Sequence, residues 1–234
     1  RMRELCTAYG VVLIFDEVKT GFRIANGGAQ EYFGIRADLA ASTLVVADGM
    51  PVVWLGKLAG ARDIQRIAGV DLVGELFAGR PGPPLRVAIY GSTALICDGA
   101  IEALHRRGDG ARVVHVQNPP FRELSEEERL ASLQSLAESS PDVVLVALGC
   151  PAQERLIAEW HPALPTAVWI GIGGTLDFYA GVRRRAPKGA QGFGMEWAVR
   201  LVQEPRRLGS RYILRDLPAL VRIAPACIAR RLTD

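Results

Sequence analysis

Several runs of apolar, β-branched residues in this chain give way to glycine and then to polar side chains. Leu44-Val45-Val46-Ala47 runs into Asp48-Gly49-Met50-Pro51, and Val87-Ala88-Ile89-Tyr90 into Gly91-Ser92-Thr93. Val144-Leu145-Val146-Ala147-Leu148 runs into Gly149-Cys150-Pro151-Ala152-Gln153-Glu154, and Val168-Trp169-Ile170 into Gly171-Ile172-Gly173-Gly174-Thr175-Leu176-Asp177. Bare glycines let backbone N–H groups approach a phosphate, and a helix that follows favours negative charge at its start. Carboxylates beside them could move a proton or accept one from a hydroxyl. Each residue also has a plainer role. Asp48 could cap a helix over 50–58, Gln153 and Glu154 could cap the helix they open, and Asp177 could organise its glycine-rich turn. Any one glycine-ended strand could be an ordinary turn.

The basic residues are distributed unevenly. Residues 183–234 hold twelve Lys or Arg against four acids, a net +8, which leaves −5 for residues 1–182 of a total of +3. A basic C-terminal segment on an acidic body predicts an anionic partner there: a phosphate, a membrane surface or a nucleic acid. Leu217, Leu220, Val221, Ile223, Ile228 and Leu232 interleave with Arg215, Arg222, Arg230 and Arg231. That amphipathic pattern suits an anionic membrane surface. No nucleic-acid recognition module accompanies the charge, so nucleic acid is not expected as a partner. Any single arginine could also sit on a solvated helix face.

The elements that must carry these residues alternate. Strands are expected at 11–15, 43–47, 85–90, 112–116, 142–148 and 166–170, and runs apolar throughout suit a parallel sheet covered on both faces. Between them, Ile64, Ile67, Leu72 and Leu76 mark one helix, and Ile101 and Leu104 a second. A third begins at Ser125, with Glu126, Glu127 and Glu128 in its first turn and Leu130, Leu133 and Leu136 inward; Ser125 with Glu128 is a capping-box pattern. The alternation predicts an α/β fold: a Rossmann-like, mostly parallel, doubly wound sheet with helices on both faces. After Gly181 the pattern turns to Arg-rich helices broken by Pro205, Pro218 and Pro225, a C-terminal helical appendage. In such sheets ligands collect outside the carboxyl ends of the strands, where the residues above lie.

Composition agrees with a folded protein. The 234 residues are 49% hydrophobic and 23% charged, enough to build a core without disulfides or metals. Cys6, Cys97, Cys150 and Cys227 are far apart with no CxxC, so reduced thiols are expected and neither a metal site nor a disulfide framework. No run reaches the roughly 18 apolar residues of a spanning helix, and the start lacks the apolar core of a signal peptide, which predicts a cytoplasmic protein. Opening on Arg1, the sequence reads as a fragment.

The motifs occur together and in one order. They are Asp48-Gly49-Met50-Pro51-Val52-Val53-Trp54, then Arg66-Ile67-Ala68-Gly69-Val70-Asp71-Leu72, Gly149-x-Pro-x-Gln153-Glu154 and Gly171-x-Gly-Gly-x-x-Asp177-Phe178-x-x-Gly181. Arg185-Ala186-Pro187 and Gly194-Met195-Glu196-Trp197-x-x-Arg200-Leu201-x-x-Glu204-Pro205-Arg206-Arg207-Leu208 follow. From about residue 40 to the end, this resembles the WecG/TagA/CpsF family of glycosyltransferases. The resemblance implies transfer of a sugar, N-acetylmannosamine or its uronic acid, from a UDP-sugar to an undecaprenyl-diphosphate-linked acceptor in cell-surface polysaccharide biosynthesis. It implies an inverting, metal-independent and cofactor-free reaction at the inner face of the membrane, with the C-terminal appendage against the lipid. Asp48 matches the family's proposed base. Arg200, Arg207 and Arg211 match its basic motif, and Arg66 another of its arginines. Gln153 and Glu154 match a PxQE element that could hold donor hydroxyls, Asp177 could bond the nucleotide, and Gly91, Gly149 and Gly173 line the strand ends. Self-association into a homo-oligomer is left open.

Residues 1–38 carry a different resemblance. Leu13-Ile14-Phe15-Asp16-Glu17-Val18-Lys19-Thr20-Gly21-Phe22-Arg23 and Gly27-Gly28-Ala29-Gln30-Glu31-Tyr32-Phe33-Gly34 look like a piece of a class III pyridoxal-phosphate aminotransferase, with Asp16 at the position that pairs with the cofactor's pyridinium nitrogen. That chemistry also needs a Schiff-base lysine, and neither Lys57 nor Lys188 matches one. The organisation expected is therefore a non-catalytic segment at 1–38, a Rossmann-like core at 39–182 and a basic helical appendage at 183–234. An aminotransferase fragment and a catalytically inactive membrane-associated remnant are the alternatives.

Overall fold

The computed structural model describes residues 14–16, 44–46, 50–58, 60, 65–79, 81–149 and 152–187, with isolated positions 199, 201, 202, 209, 221 and 225. The chain divides into two compact units. The first takes in residues 1–16, 37–46 and 68–183, and the second residues 17–36, 47–67 and 184–234.

The first unit is a six-stranded sheet. Its strands are β1 (Ile14–Asp16), β2 (Leu44–Val46), β3 (Leu85–Gly91), β4 (Ala111–Gln117), β5 (Val143–Ala147) and β6 (Val168–Gly171). The order is β2-β1-β6-β5-β3-β4, and every pairing is parallel. Parallel neighbours need crossovers, which helices supply along the chain from β2 to β6. Helix α1 (Met50–Leu58) belongs to the second unit; α2 (Gly69–Phe77), α3 (Ala94–His105), α4 (Glu126–Glu138), α5 (Ala152–Trp160) and α6 (Thr175–Tyr179) belong to the first.

Both faces of the sheet are covered, as a parallel sheet requires. On one, Val87, Ile89, Val143 and Leu145 pack with Val73 and Phe77 of α2, Cys97, Ala100 and Leu104 of α3 and Leu176 of α6. On the other, Ala88, Tyr90, Val144 and Val146 pack with Leu136 of α4 and Ile157 and Trp160 of α5, where the Tyr90 and Trp160 rings meet edge-on at 5.0 Å. The chain leaves β3 toward β4 and returns on β3's other side as β5, so the direction of winding reverses between β3 and β5. In open α/β sheets that reversal opens a crevice at the carboxyl ends of the two strands.

Two sequence expectations change. The helix drawn through Ile64, Ile67, Leu72 and Leu76 begins only at Gly69: Ala68 is extended (φ −84°, ψ 137°) and Ile67 is 42% exposed. The step from Ile67 to Leu72 breaks the three-and-four spacing of a helical face, so Ile67 precedes the helix; Ile64 lies outside the described residues. In α4, Leu136 is buried and Leu133 packs beneath it, but Leu130 is 59% exposed. Successive steps of three rotate backwards around the helix, so Leu130 swings off the face and Ser132, four residues before Leu136, takes the buried position. The capping box at Ser125 and Glu128 forms as expected, with both reciprocal bonds present.

Candidate active site

The carboxyl ends of β3, β5 and β6 are tied together by backbone. Ser92 N donates to Ala147 O (3.1 Å) and Ile172 N to Val146 O (2.9 Å). Gly91, the last residue of β3, has φ 108°, and a Cβ there would lie 2.7 Å from the Ala147 carbonyl carbon and oxygen. Only glycine allows both the conformation and this approach. Gly91 thus closes the switch point between β3 and β5.

Asn118, just after β4, holds the same turn from the other side. Its Nδ2 donates to Gly91 O (3.0 Å) and to Cys97 Sγ (3.2 Å). Burial pushes the Cys97 thiol up, which keeps it a neutral packing group in the α3 face. Asn118 was not singled out from sequence, although its place at a strand's carboxyl end was the available signal.

Gln153 is the polar centre of the β5 and β6 loops. It sits in the first turn of α5 and is 1% exposed. Its Oε1 accepts from Gly173 N (2.9 Å), and its Nε2 donates to Glu154 Oε1 (2.9 Å). One amide therefore links the α5 start to the turn after β6, where Gly173 takes φ 51°. A Cβ at Gly171 would fall 2.8 Å from Gln153 Nε2, so the last residue of β6 is bare to admit that side chain. Glu154 is 2% exposed, beneath the surface of the same loop pair. Gly149 turns the chain out of β5 at φ 79°.

Asp177 lies in the first turn of α6, with its carboxylate facing back toward the turn. Arg183 Nε is 3.2 Å from Asp177 Oδ2, and Arg183 N donates to Asp177 O (3.0 Å). Of the three consecutive arginines at 183–185, the structure selects Arg183 for this contact, a choice no sequence spacing could make.

The sheet unit thus brings Gly91, Gly149, Gln153, Glu154, Gly173 and Asp177 to the carboxyl ends of its strands. Arg66 belongs to the second unit, where it makes an isolated β-bridge and is half-buried. Asp48, Arg200, Arg207 and Arg211 lie outside the described residues. Among the described residues no three His, Cys, Asp or Glu side chains group as metal ligands, and no helix is long and apolar enough to cross a membrane.

A doubly wound parallel sheet with glycine turns, a buried amide and carboxylates at its strand ends defines an α/β protein of the Rossmann-like class. The chain belongs to the Glycosyl transferase WecG/TagA/CpsF family, whose sequence profile matches residues 28–233. It is similar to the N-acetylglucosaminyldiphosphoundecaprenol N-acetyl-beta-D-mannosaminyltransferase of Bacillus subtilis (strain 168), 29% identical over 178 residues, or 76% of this chain and 66% of the relative. The protein of the same name from Bacillus spizizenii (strain ATCC 23059 / NRRL B-14472 / W23) is 33% identical over 171 residues, 73% of this chain and 65% of the relative. The chain spans just under two thirds of the length of these curated relatives.

The aminotransferase resemblance of residues 1–38 finds no support. The family match begins at residue 28, inside that segment. Ile14–Asp16, its described part, is a strand of the sheet itself, paired with Leu44–Val46 on one side and with β6 on the other. Asp16 closes a strand of that sheet, in register with Val46.

Proposed function

We propose that this chain transfers an N-acetylmannosamine-like sugar from a UDP-sugar to a polyprenyl-diphosphate-linked acceptor, inverting the anomeric centre without a metal. The observation that carries this reading is the family match across residues 28–233, with two similar relatives named for N-acetylmannosaminyl transfer to N-acetylglucosaminyldiphosphoundecaprenol. The strand-end geometry supports it, because a nucleotide diphosphate needs backbone donors and hydroxyl acceptors at one edge of a sheet.

In this reading Asp48 takes the proton from the acceptor hydroxyl as that oxygen attacks the anomeric carbon, and the bond to the diphosphate breaks with UDP leaving. Arg200, Arg207 and Arg211, with Arg66, meet the charge that grows on the leaving diphosphate. Gln153 and the buried Glu154 hold the β5 and β6 loops in register, Asp177 accepts a hydroxyl of the donor, Gly91 closes the switch point between β3 and β5, and Gly149 and Gly173 keep side chains off the ligand's path. The +8 segment at 183–234 draws the protein to anionic lipid at the cytoplasmic face, where the acceptor is anchored.

The test is UDP release from UDP-N-acetylmannosamine with a lipid-diphosphate acceptor in EDTA. Turnover is expected, with a loss of at least a hundredfold in Asp48→Asn, within the range for a removed general base. Turnover equal to the unaltered chain in Asp48→Asn would remove the base assignment, and dependence on added Mg²⁺ would remove the metal-independent mechanism.

A further inference from the structure

The structure assigns to Arg183 a role the family motifs do not give it: we propose that it is a positioning residue of the donor site, holding the Asp177 carboxylate over the glycine-rich turn and offsetting its charge. The inference rests on the UDP-sugar reading above and concerns how one carboxylate can serve in a site that must also receive a diphosphate.

Two contacts and one close approach define the arrangement. Arg183 Nε lies 3.2 Å from Asp177 Oδ2, and the Arg183 backbone N–H donates to the Asp177 carbonyl at 3.0 Å, so side chain and main chain grip the same residue. A Cβ added to Gly174 would sit 3.3 Å from Asp177 Oδ2 and 3.6 Å from Arg183 Nη1, so the pair lies directly against the bare backbone of the turn. The chain reverses between the two partners at Gly181, with φ 73°.

This pair is also partly enclosed. Arg183 and Asp177 are 32% and 18% exposed as side chains, whereas the pairs Arg106–Glu102, Arg107–Glu75, Arg122–Glu128 and Arg129–Glu159 each have at least one partner more than half exposed. Exposed pairs contribute little and are easily screened; a partly enclosed one keeps its geometry. With one Asp177 oxygen held by Arg183, the carboxylate faces the turn as an oriented acceptor suited to hydroxyl hydrogens. An unpaired carboxylate in the same place would repel a diphosphate bound anywhere in the crevice. The arginine makes the two compatible, so the pair favours a nucleotide sugar hydroxyl beside a phosphate.

Calorimetric titration of the full chain with UDP and with uridine tests the inference. Arg183→Gln is expected to weaken UDP about tenfold and uridine less than threefold, because only UDP brings negative charge. Arg183→Lys should restore UDP affinity to within threefold of the unaltered chain. In an Asp177→Asn background the carboxylate charge is gone, so adding Arg183→Gln should change UDP affinity less than twofold; this uncharged pair also serves if Arg183→Gln alone does not fold. UDP binding unchanged in Arg183→Gln, or UDP and uridine weakened equally together with a lowered melting temperature, would overturn the positioning role. Failure of the unaltered chain to bind UDP would instead remove the donor reading on which it rests.

Discussion

The fit between Gln153 and Gly171 offers the sharpest test of how the strand ends are built. Gln153→Ala removes the acceptor of Gly173 N–H and the donor to Glu154 Oε1, each at 2.9 Å in a site that is 1% exposed. Each enclosed hydrogen bond lost costs about 1–3 kcal/mol, so a loss of about 2–6 kcal/mol is expected. For a chain of this size that corresponds to a fall in melting temperature of roughly 4–24 °C. Gly171→Ala acts on the same side chain from the opposite direction. Its new methyl would stand 2.8 Å from Nε2, 3.0 Å from Cδ and 3.4 Å from Cγ of Gln153, and the backbone there is not left-handed. The overpacking should cost about 1–3 kcal/mol. All three crowding atoms vanish in Gln153→Ala, so the double variant should be no less stable than Gln153→Ala alone. Urea midpoints of the two single variants and the double, closed as a cycle, would then show about 1–3 kcal/mol of coupling, where independent sites add within about 0.5 kcal/mol. Additive losses would refute the reasoning, because they would place the cost of Gly171→Ala elsewhere in β6.

Three further outcomes follow from single contacts. Gly91→Ala forces a side chain into φ 108° and against the Ala147 backbone at 2.7 Å, so the chain should lose at least about 2–3 kcal/mol by urea unfolding or fail to accumulate as soluble protein. Ser125→Ala removes the side-chain half of the capping box and should cost about 1 kcal/mol in the same assay. Burial pushes the His161 imidazolium below its ordinary range, so as pH falls below about 6.5 the unfolded chain takes up a proton that the native chain resists. Stability from this residue is full above that pH and declines below it, and His161→Gln should shrink the difference between urea midpoints measured at neutral and mildly acidic pH.

The sheet was legible because its signals are local. Val143–Ala147 is apolar without interruption and buried without interruption, and Ser125 with Glu128 marks the start of α4 to the residue. Where helical spacing failed, the failure was geometric. Leu130, Leu133 and Leu136 are three apart, and a helix of 3.6 residues per turn cannot keep all of them on one face over two turns. The break before α2 is geometric as well: Ile67 and Leu72 are five apart, a step that one helical face does not allow, so the helix starts after Ile67.

The site was legible as a set of strand ends but not as a set of partners. A glycine before a helix can face a phosphate, a neighbouring backbone or a side chain, and the structure uses the latter two: Gly91 yields to Ala147, and Gly171 to Gln153. Gln153 and Asp177 looked alike as polar residues waiting for a ligand. In the folded unit the amide is anchored to Gly173 and Glu154 while the carboxylate is anchored to Arg183, so both are fixed before any ligand arrives. The transfer proposed above would gain from that order, since a loop already held in place has less conformational entropy to lose on binding a ligand. The same logic says what a change at Gln153 or Gly171 would do first: it would disturb both β5 and β6.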